Sequence, residues 1–186
     1  MAAAEYIIDS VKRIVQKYDT RDPRELCQAL HIRIYRLDLQ RKLKGYFFYQ
    51  SRQKNIVIDS SVNHVMEQII LAHELGHAVL HTKAAMMRGF HETEVLGQNL
   101  LCPEETEANL FAAELLLDDN DVVEHLQRES FYEAASALYV PAALLDYKAA
   151  LLRKKGYRLD SMELHRADFL KEDCGAYLCV DEHRTE

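Results

Sequence analysis

His73-Glu74-Leu75-Gly76-His77 is an H-E-x-x-H string inside a segment that has the apolar spacing of a helix. Two histidines four residues apart on a helix differ by about 40° around its axis, so both imidazoles can reach one metal ion. Glu74 lies about 100° from His73, where its carboxylate can take a proton from a water molecule at the metal. The string therefore predicts two metal ligands, His73 and His77, and a catalytic base, Glu74.

The helix around this string is predicted to run from Ser60 or Ser61 to about His81, with both histidines on its apolar face. Gly76 costs a helix about 1 kcal/mol relative to alanine, so we expect another backbone to approach closely at this point. A chain of this length and composition contains about 0.04 such strings by chance, and two ordinary buried histidines are the alternative interpretation. The rest of the sequence must decide between the two.

The composition is that of an acidic globular protein, with 186 residues, a net charge of −7 and 48% hydrophobic residues. Direct nucleic-acid binding needs a basic face, and a membrane span needs about 18 consecutive apolar residues; the sequence predicts neither. The N-terminus lacks the pattern of a signal peptide, so we expect a cytoplasmic protein with free thiols. The short spacing of Cys174 and Cys179 leaves a disulfide or a metal-binding pair as an alternative.

Three short β-forming segments precede the H-E-x-x-H helix, and helical patterns dominate the rest of the chain. The pattern predicts the α+β class: a small antiparallel three-stranded sheet packed on a mainly helical body, in a zincin-like arrangement. Strands are expected at 31–37, 45–49 and 55–59, with a hairpin between the last two. We predict one domain over residues 1–160, composed of N-terminal helices and sheet (1–60), the H-E-x-x-H helix (61–81), a second ligand-bearing helix (104–117) and C-terminal helices (121–156), followed by a C-terminal extension (161–186).

A catalytic zinc site usually has three protein ligands and one open position, so a third ligand must come from outside the H-E-x-x-H helix. The acidic start of the next strong helix, Glu104 to Leu117, is the obvious source. Glu107 lies one turn before Phe111 and borders the buried face, so we predict that it is the third ligand. Glu104 shares that side one turn earlier and is the alternative.

Two motifs in this order carry a resemblance to a known family. The run from Ala72 to His81, followed by Glu105-Thr106-Glu107-Ala108-Asn109-Leu110-Phe111-Ala112, resembles the ImmA/IrrE family of metallopeptidases. The likeness covers roughly residues 30–120. It implies that Zn2+, or another divalent transition metal, is bound by His73, His77 and Glu107, with Glu74 as the base.

The resemblance also implies a function. The chain is expected to be a gluzincin-like zinc endopeptidase whose partner is a protein substrate, a helix-turn-helix repressor in a phage or mobile-element regulatory circuit. Two alternatives use the same fold without catalysis: an anti-repressor that only binds the repressor, and a toxin–antitoxin component. The sequence departs from the family at Leu117-Asp118, where family members often have Met-Pro, so a substrate contact at this turn is in doubt.

Further residues are candidates for supporting roles. The anionic tetrahedral intermediate of peptide hydrolysis needs a hydrogen-bond donor besides the metal, and Tyr147, His91 and His81 are candidates. A fourth-ligand role for His81 is disfavoured, because a catalytic zinc keeps one position open. Glu114 lies two turns after Glu107 and could accept a hydrogen bond from a ligand histidine. An ordinary helix-packing carboxylate is the alternative for Glu114.

Overall fold

A computed structural model describes residues 2–40, 42–88 and 103–159 of the chain. The chain divides into two compact units, Met1–Asp118 and Asp119–Glu186, and each is described by itself. The α+β class predicted from the sequence is confirmed, with eight helices and one three-stranded sheet among the described residues. The domain over 1–160 and the extension over 161–186 stay predictions.

The described part of the first unit contains five helices, and side-chain caps fix the starts of two of them. Asp22 caps the second of them, because its side chain accepts hydrogen bonds from the backbone N–H groups of Arg24 and Glu25. Asn63 caps the third in the same way through Met66, so this helix begins a few residues later than predicted. The helices are α1 (Ala2–Tyr18), α2 (Pro23–Ala29), α3 (His64–Leu80), α4 (Thr82–Arg88) and α5 (Pro103–Leu116).

The sheet of the first unit has strands β1 (Arg33–Leu37), β2 (Gly45–Gln50) and β3 (Gln53–Asp59) in the order β1-β3-β2. β2 pairs antiparallel with β3 through a turn at Ser51 and Arg52, which both have positive φ, so the predicted hairpin is confirmed. β1 pairs parallel with β3. The sheet is therefore mixed, and the prediction of an antiparallel sheet was wrong.

The parallel pairing follows from the loop between β1 and β2, which passes the end of β3 so that β2 lies on the opposite side of β3 from β1. Asp59, the last residue of β3, fixes this loop. Its buried carboxylate accepts hydrogen bonds from the backbone N–H groups of Leu39 and Ser61 at 3.0 and 2.7 Å. Side-chain alternation identifies a strand but carries no information on its direction, which is why the sequence did not predict this arrangement.

Helix α3 packs against β2, β3 and α5, and its contact with α5 is close at Gly76. A Cβ atom at Gly76 would lie 3.1 Å from the Cα of Ala108 and 3.2 Å from the Cβ of Phe111. The expected close approach of another backbone at Gly76 is therefore present. Large apolar side chains around this crossing and under the sheet are fully buried: Ile56, Ile58, Ile70, Leu71, Leu75, Phe111 and Leu115.

The second unit contains α6 (Asp119–Arg128), α7 (Phe131–Ala137) and α8 (Ala142–Lys154). α7 begins with a capping box, in which Ser130 and Glu133 exchange hydrogen bonds. The buried Lys148 of α8 pairs with Asp119 at 2.6 Å. Within the described ranges no single helix has the length and apolarity to cross a membrane, although α7 and α8, bent by 105°, satisfy both criteria as a pair.

The cysteines divide between described and undescribed parts of the chain. Cys27 is a buried free thiol in α2, and burial raises its pKa to about 12, against a smaller opposite effect of Arg24. Its thiol therefore stays protonated and unreactive near neutral pH. Cys174 and Cys179 lie outside the described residues.

Candidate metal centre

The two histidines of the H-E-x-x-H string face each other across one turn of α3. Their Nε2 atoms are 3.1 Å apart, and their ring centroids are 4.8 Å apart. His73 is 1% exposed, whereas the side chain of His77 is 14% exposed. The pair therefore offers two convergent ring nitrogens at a point that is open to solvent on the His77 side.

Glu105, at the start of α5, brings a third donor to these histidines. Its Oε2 atom lies 3.3 Å from Nε2 of His73, and its Oε1 atom lies 3.3 Å from Nε2 of His77. The three residues form the cluster among the described residues in which three His, Cys, Asp or Glu donors lie within 4.8 Å of one another. Burial alone would raise the pKa of Glu105, but hydrogen bonds with His73 and His77 outweigh it and hold that pKa well below its usual range.

Glu107, predicted as the third ligand, lies elsewhere. Its Oε2 atom is 2.9 Å from Nε2 of His81, and Glu105 occupies the place beside the two ligand histidines. The reason is the rotation of α5 about its axis. Ala108 contacts α3 at Gly76, and Glu105 and Glu107 are about 60° and about 100° from Ala108 around the helix. The prediction placed Glu107 at the border of the buried face because it lies one turn before Phe111. Glu105 and Glu107 are about 160° apart around the axis, so they contact different histidines.

Glu74 lies beside this cluster in a buried position, where it is 4% exposed. Burial raises its pKa to about 7; His77 lowers it, Glu105 raises it, and a hydrogen bond from the backbone of Phe47 lowers it. Phe47 is in β2, so this strand reaches the carboxylate directly. Gly45, two residues earlier, lies close as well, since a Cβ there would be 3.7 Å from Cγ of Glu74.

Comparison with known proteins identifies the family of the chain. A peptidase family model described as the IrrE N-terminal-like domain matches residues 27–150. The chain belongs to the ImmA/IrrE family of metallopeptidases. The "uncharacterized immunity region protein 2" of Bacillus phage phi105 is 34% identical over 143 residues, or 75% of this chain and 86% of that protein. Metallopeptidase ImmA of Bacillus subtilis (strain 168) is 28% identical over 157 residues, or 83% of this chain and 90% of that protein.

Membership of the ImmA/IrrE family implies a metal ion, and the donor set fits one. A zinc ion with tetrahedral bonds of about 2.0–2.1 Å places neighbouring donor atoms about 3.3 to 3.4 Å apart. The Nε2 atoms of His73 and His77 are 3.1 Å apart, and each lies 3.3 Å from a carboxylate oxygen of Glu105, Oε2 for His73 and Oε1 for His77. Two imidazoles and a carboxylate are also a combination that catalytic zinc sites use.

The other residues predicted to support the ImmA/IrrE chemistry have different outcomes. His81 lies at the end of α3 with its Nδ1 atom 3.1 Å from Nδ1 of His77, and burial lowers its pKa against the opposing effect of Glu107. Glu114 is buried in α5, and its backbone carbonyl accepts a hydrogen bond from Arg21. Tyr147 is in α8 of the second unit, and His91 lies outside the described residues. The donor roles of His81, Tyr147 and His91 and the acceptor role of Glu114 stay predictions.

Two features of the site were missed from the sequence. The place of Glu105 had a usable signal: it lies three residues before Ala108, and a small residue opposite Gly76 marks the line of contact between two helices. The hydrogen bond from Phe47 to Glu74 had none, because it uses a backbone N–H group that every residue except proline carries.

Proposed function

We propose that this member of the ImmA/IrrE family is a zinc-dependent endopeptidase whose metal is held by His73, His77 and Glu105. The observation that carries this proposal is the convergence of three side chains: the Nε2 atoms of His73 and His77 are 3.1 Å apart, and each lies 3.3 Å from one of the two oxygens of Glu105. Another divalent transition metal with the same ligand preference is the alternative ion.

Glu74 is proposed as the general base. Zinc, when bound, lowers the pKa of a water molecule towards 7 and polarises the scissile carbonyl. Glu74 takes a proton from the attacking water and delivers it to the leaving amine. In the metal-free chain burial raises the pKa of Glu74 to about 7, and a carboxylate with a raised pKa is a better proton acceptor than an exposed one. The Phe47 N–H group steadies the carboxylate after it has lost its proton.

The proposed peptide substrate lies in extended form along β2. This strand is at the edge of the described sheet, and Phe47 within it donates to Glu74, so the strand edge and the base are neighbours. Addition of a peptide strand to a sheet edge supplies main-chain hydrogen bonds without demanding a particular sequence. It also holds the scissile bond in a fixed orientation beside the base.

We propose a helix-turn-helix repressor as the protein substrate. One relative is named as a protein of a phage immunity region, and another as a metallopeptidase, which supports a peptidase that acts in control of such a region. The net charge of −7 favours action on a protein over direct binding to DNA. The proposed site of action is the cytoplasm, where such repressors work.

The test combines the purified chain, zinc and the repressor encoded beside its gene, and mass spectrometry locates any cut. We expect the wild type to cleave the repressor, and a zinc chelator to stop cleavage. Glu74→Gln is expected to keep its zinc and to cleave about 10²- to 10⁴-fold more slowly. Undiminished cleavage by Glu74→Gln contradicts the proposed base. Release of the repressor from DNA by both proteins, without any cut, would favour the non-catalytic anti-repressor instead.

A further inference from the structure

A chain of three side chains runs from the proposed metal ligands to the start of α5. Nδ1 of His77 lies 3.1 Å from Nδ1 of His81, and Nε2 of His81 lies 2.9 Å from Oε2 of Glu107. The backbone holds His81 at this place, because its N–H group donates to the carbonyl oxygen of His77 at 2.9 Å. The side chain of His81 is 12% exposed and that of Glu107 is 33% exposed, so the histidine is largely buried and the carboxylate is partly open to water.

The chemistry of these groups allows one order of protons that leaves a lone pair for the metal. An ionised carboxylate only accepts hydrogen bonds, so Nε2 of His81 carries the proton that bonds to Glu107. Nδ1 of a neutral His81 is then an acceptor, and Nδ1 of His77 must donate to it. A neutral imidazole that donates from Nδ1 has its lone pair on Nε2, which is the atom of His77 that faces His73 and Glu105.

We propose that His81 and Glu107 are positioning residues that hold His77 in the tautomer and orientation required for metal binding. The proposal rests on the proposed metal ligands, and it assigns a different role to the carboxylate that the sequence suggested as a ligand. Partners of this kind are common behind metal-binding histidines, where a carboxylate fixes the ring and increases its basicity. In this chain the carboxylate acts through an intervening imidazole.

A purely structural role is the main rival, because the same contact joins α3 to α5. The two roles differ in what they change. A structural tether stabilises the protein whether or not metal is present, whereas a positioning pair changes metal affinity and the proton position on His81. His81→Phe keeps a ring of similar size without nitrogen atoms, and Glu107→Gln keeps an acceptor oxygen without the charge.

The experiment measures zinc affinity of the full chain by competition with a coloured chelator, together with urea unfolding of the metal-stripped protein. We expect His81→Phe and Glu107→Ala to bind zinc about 10- to 100-fold more weakly. Glu107→Gln should bind zinc more tightly than Glu107→Ala. The double variant His81→Phe/Glu107→Ala should bind zinc no more weakly than the weaker-binding of the two single variants. His125→Phe is a matched control, since it removes a histidine that pairs with a carboxylate, Glu129, in the second unit. Its zinc affinity should equal that of the wild type.

Nitrogen-15 NMR of the zinc-loaded protein gives a second readout. The wild type should show His81 with its proton on Nε2, and Glu107→Ala should lose this preference. Wild-type affinity in both single variants, or a proton on Nδ1 of His81 in the wild type, overturns the positioning role. Glu105→Ala separates this outcome from failure of the proposed ligand set. If Glu105→Ala also binds zinc normally, the proposed ligand set is wrong. If Glu105→Ala loses zinc while the His81 and Glu107 variants keep it, the ligand set stands and only the positioning role is wrong.

Discussion

The two ends of helix α3 each hold a carboxylate against two nitrogen-bearing side chains. Near its start, Glu67 is 3% exposed and bonds to Arg24 and, at 2.8 Å, to Arg36. Near its end, His73 and His77 meet Glu105 at 3.3 Å. In both clusters one carboxylate lies within ion-pair distance of two nitrogen-bearing side chains.

The clusters differ in what their nitrogen atoms can do. A guanidinium group carries a permanent charge and only donates hydrogen bonds, so the two arginines give each oxygen of Glu67 a charged donor. A neutral imidazole carries no charge and offers a lone pair. Two histidines and a carboxylate therefore direct three electron-pair donors and one negative charge towards a common point. The first cluster is closed by its own members, and the second is suited to a cation. The kind of nitrogen atom, more than the geometry, distinguishes a structural ion-pair cluster from one that can bind a metal ion.

Removal of one carboxylate at each end gives the largest expected difference. Glu105→Gln should weaken zinc binding on the order of 10³-fold, beyond the 10- to 100-fold typical of losing a partner behind a ligand. Glu67→Gln should leave zinc affinity unchanged and lower the free energy of unfolding by about 1 to 3 kcal/mol, because it weakens hydrogen bonds at a buried group whose arginine partners are half exposed. Chelator competition and urea unfolding measure the two effects. Equal losses of zinc affinity in both variants would contradict the distinction.

The histidine end of α3 should also make the free energy of unfolding depend on pH. Its buried carboxyl group, Glu74, lies beside imidazoles and Glu105 and has a raised pKa. Its folded-state pKa of about 7 lies above the ordinary value of 4.5, so the folded chain keeps a proton that the unfolded chain has released. The unfolding free energy of the metal-stripped protein should therefore fall as pH rises from about 4.5 to 7, by up to roughly 3 kcal/mol from this group. Glu105, with a lowered pKa, acts in the opposite direction only below its ordinary range. His81, whose pKa is lowered from 6.5 by burial, also acts in the opposite direction below pH 6.5, so the comparison with Glu74→Gln is needed to isolate Glu74.

Urea unfolding at a series of pH values tests this expectation. Glu74→Gln serves as the control, because its amide does not titrate, and it should remove the fall. Parallel curves for the wild type and Glu74→Gln would show that Glu74 titrates at its ordinary pKa.

A change at Gly76 should disturb the histidine end alone. The added Cβ of Gly76→Ala meets Ala108 at 3.1 Å, so α3 and α5 must separate by a few tenths of an ångström. We expect a loss of about 1 to 2 kcal/mol in stability, partly offset by the better helix propensity of alanine, and about tenfold weaker zinc binding. Gly156→Ala is the control: φ there is +96° and no atom lies within 4 Å, so stability falls by about 1 kcal/mol with zinc affinity unchanged. Wild-type zinc affinity in Gly76→Ala would show that this crossing does not set the position of Glu105.

Much of this organisation could be predicted from the sequence, and the failures have a common cause. Helical spacing placed His73 and His77 on one face of a helix, and the short connection from Ser51 to Lys54 indicated the hairpin. The spacing of residues within one element did not predict the direction of β1 or the choice between Glu105 and Glu107. Both depend on how separate elements are rotated or connected in space, through Asp59 in one case and Ala108 in the other. Local periodicity indicates the type and the buried face of a single element, but not how that element is placed against another.

Because α3 and α5 meet at Gly76 and Ala108, the stability of the fold should depend on the concentration of free metal. The proposed ligands come from both helices, so a metal ion held by them binds the folded arrangement in preference to the unfolded chain. Free metal at 100 times its dissociation constant then adds about 2.7 kcal/mol to the stability of the fold. The supply of metal in the cell would set how long the chain persists as well as whether it is active.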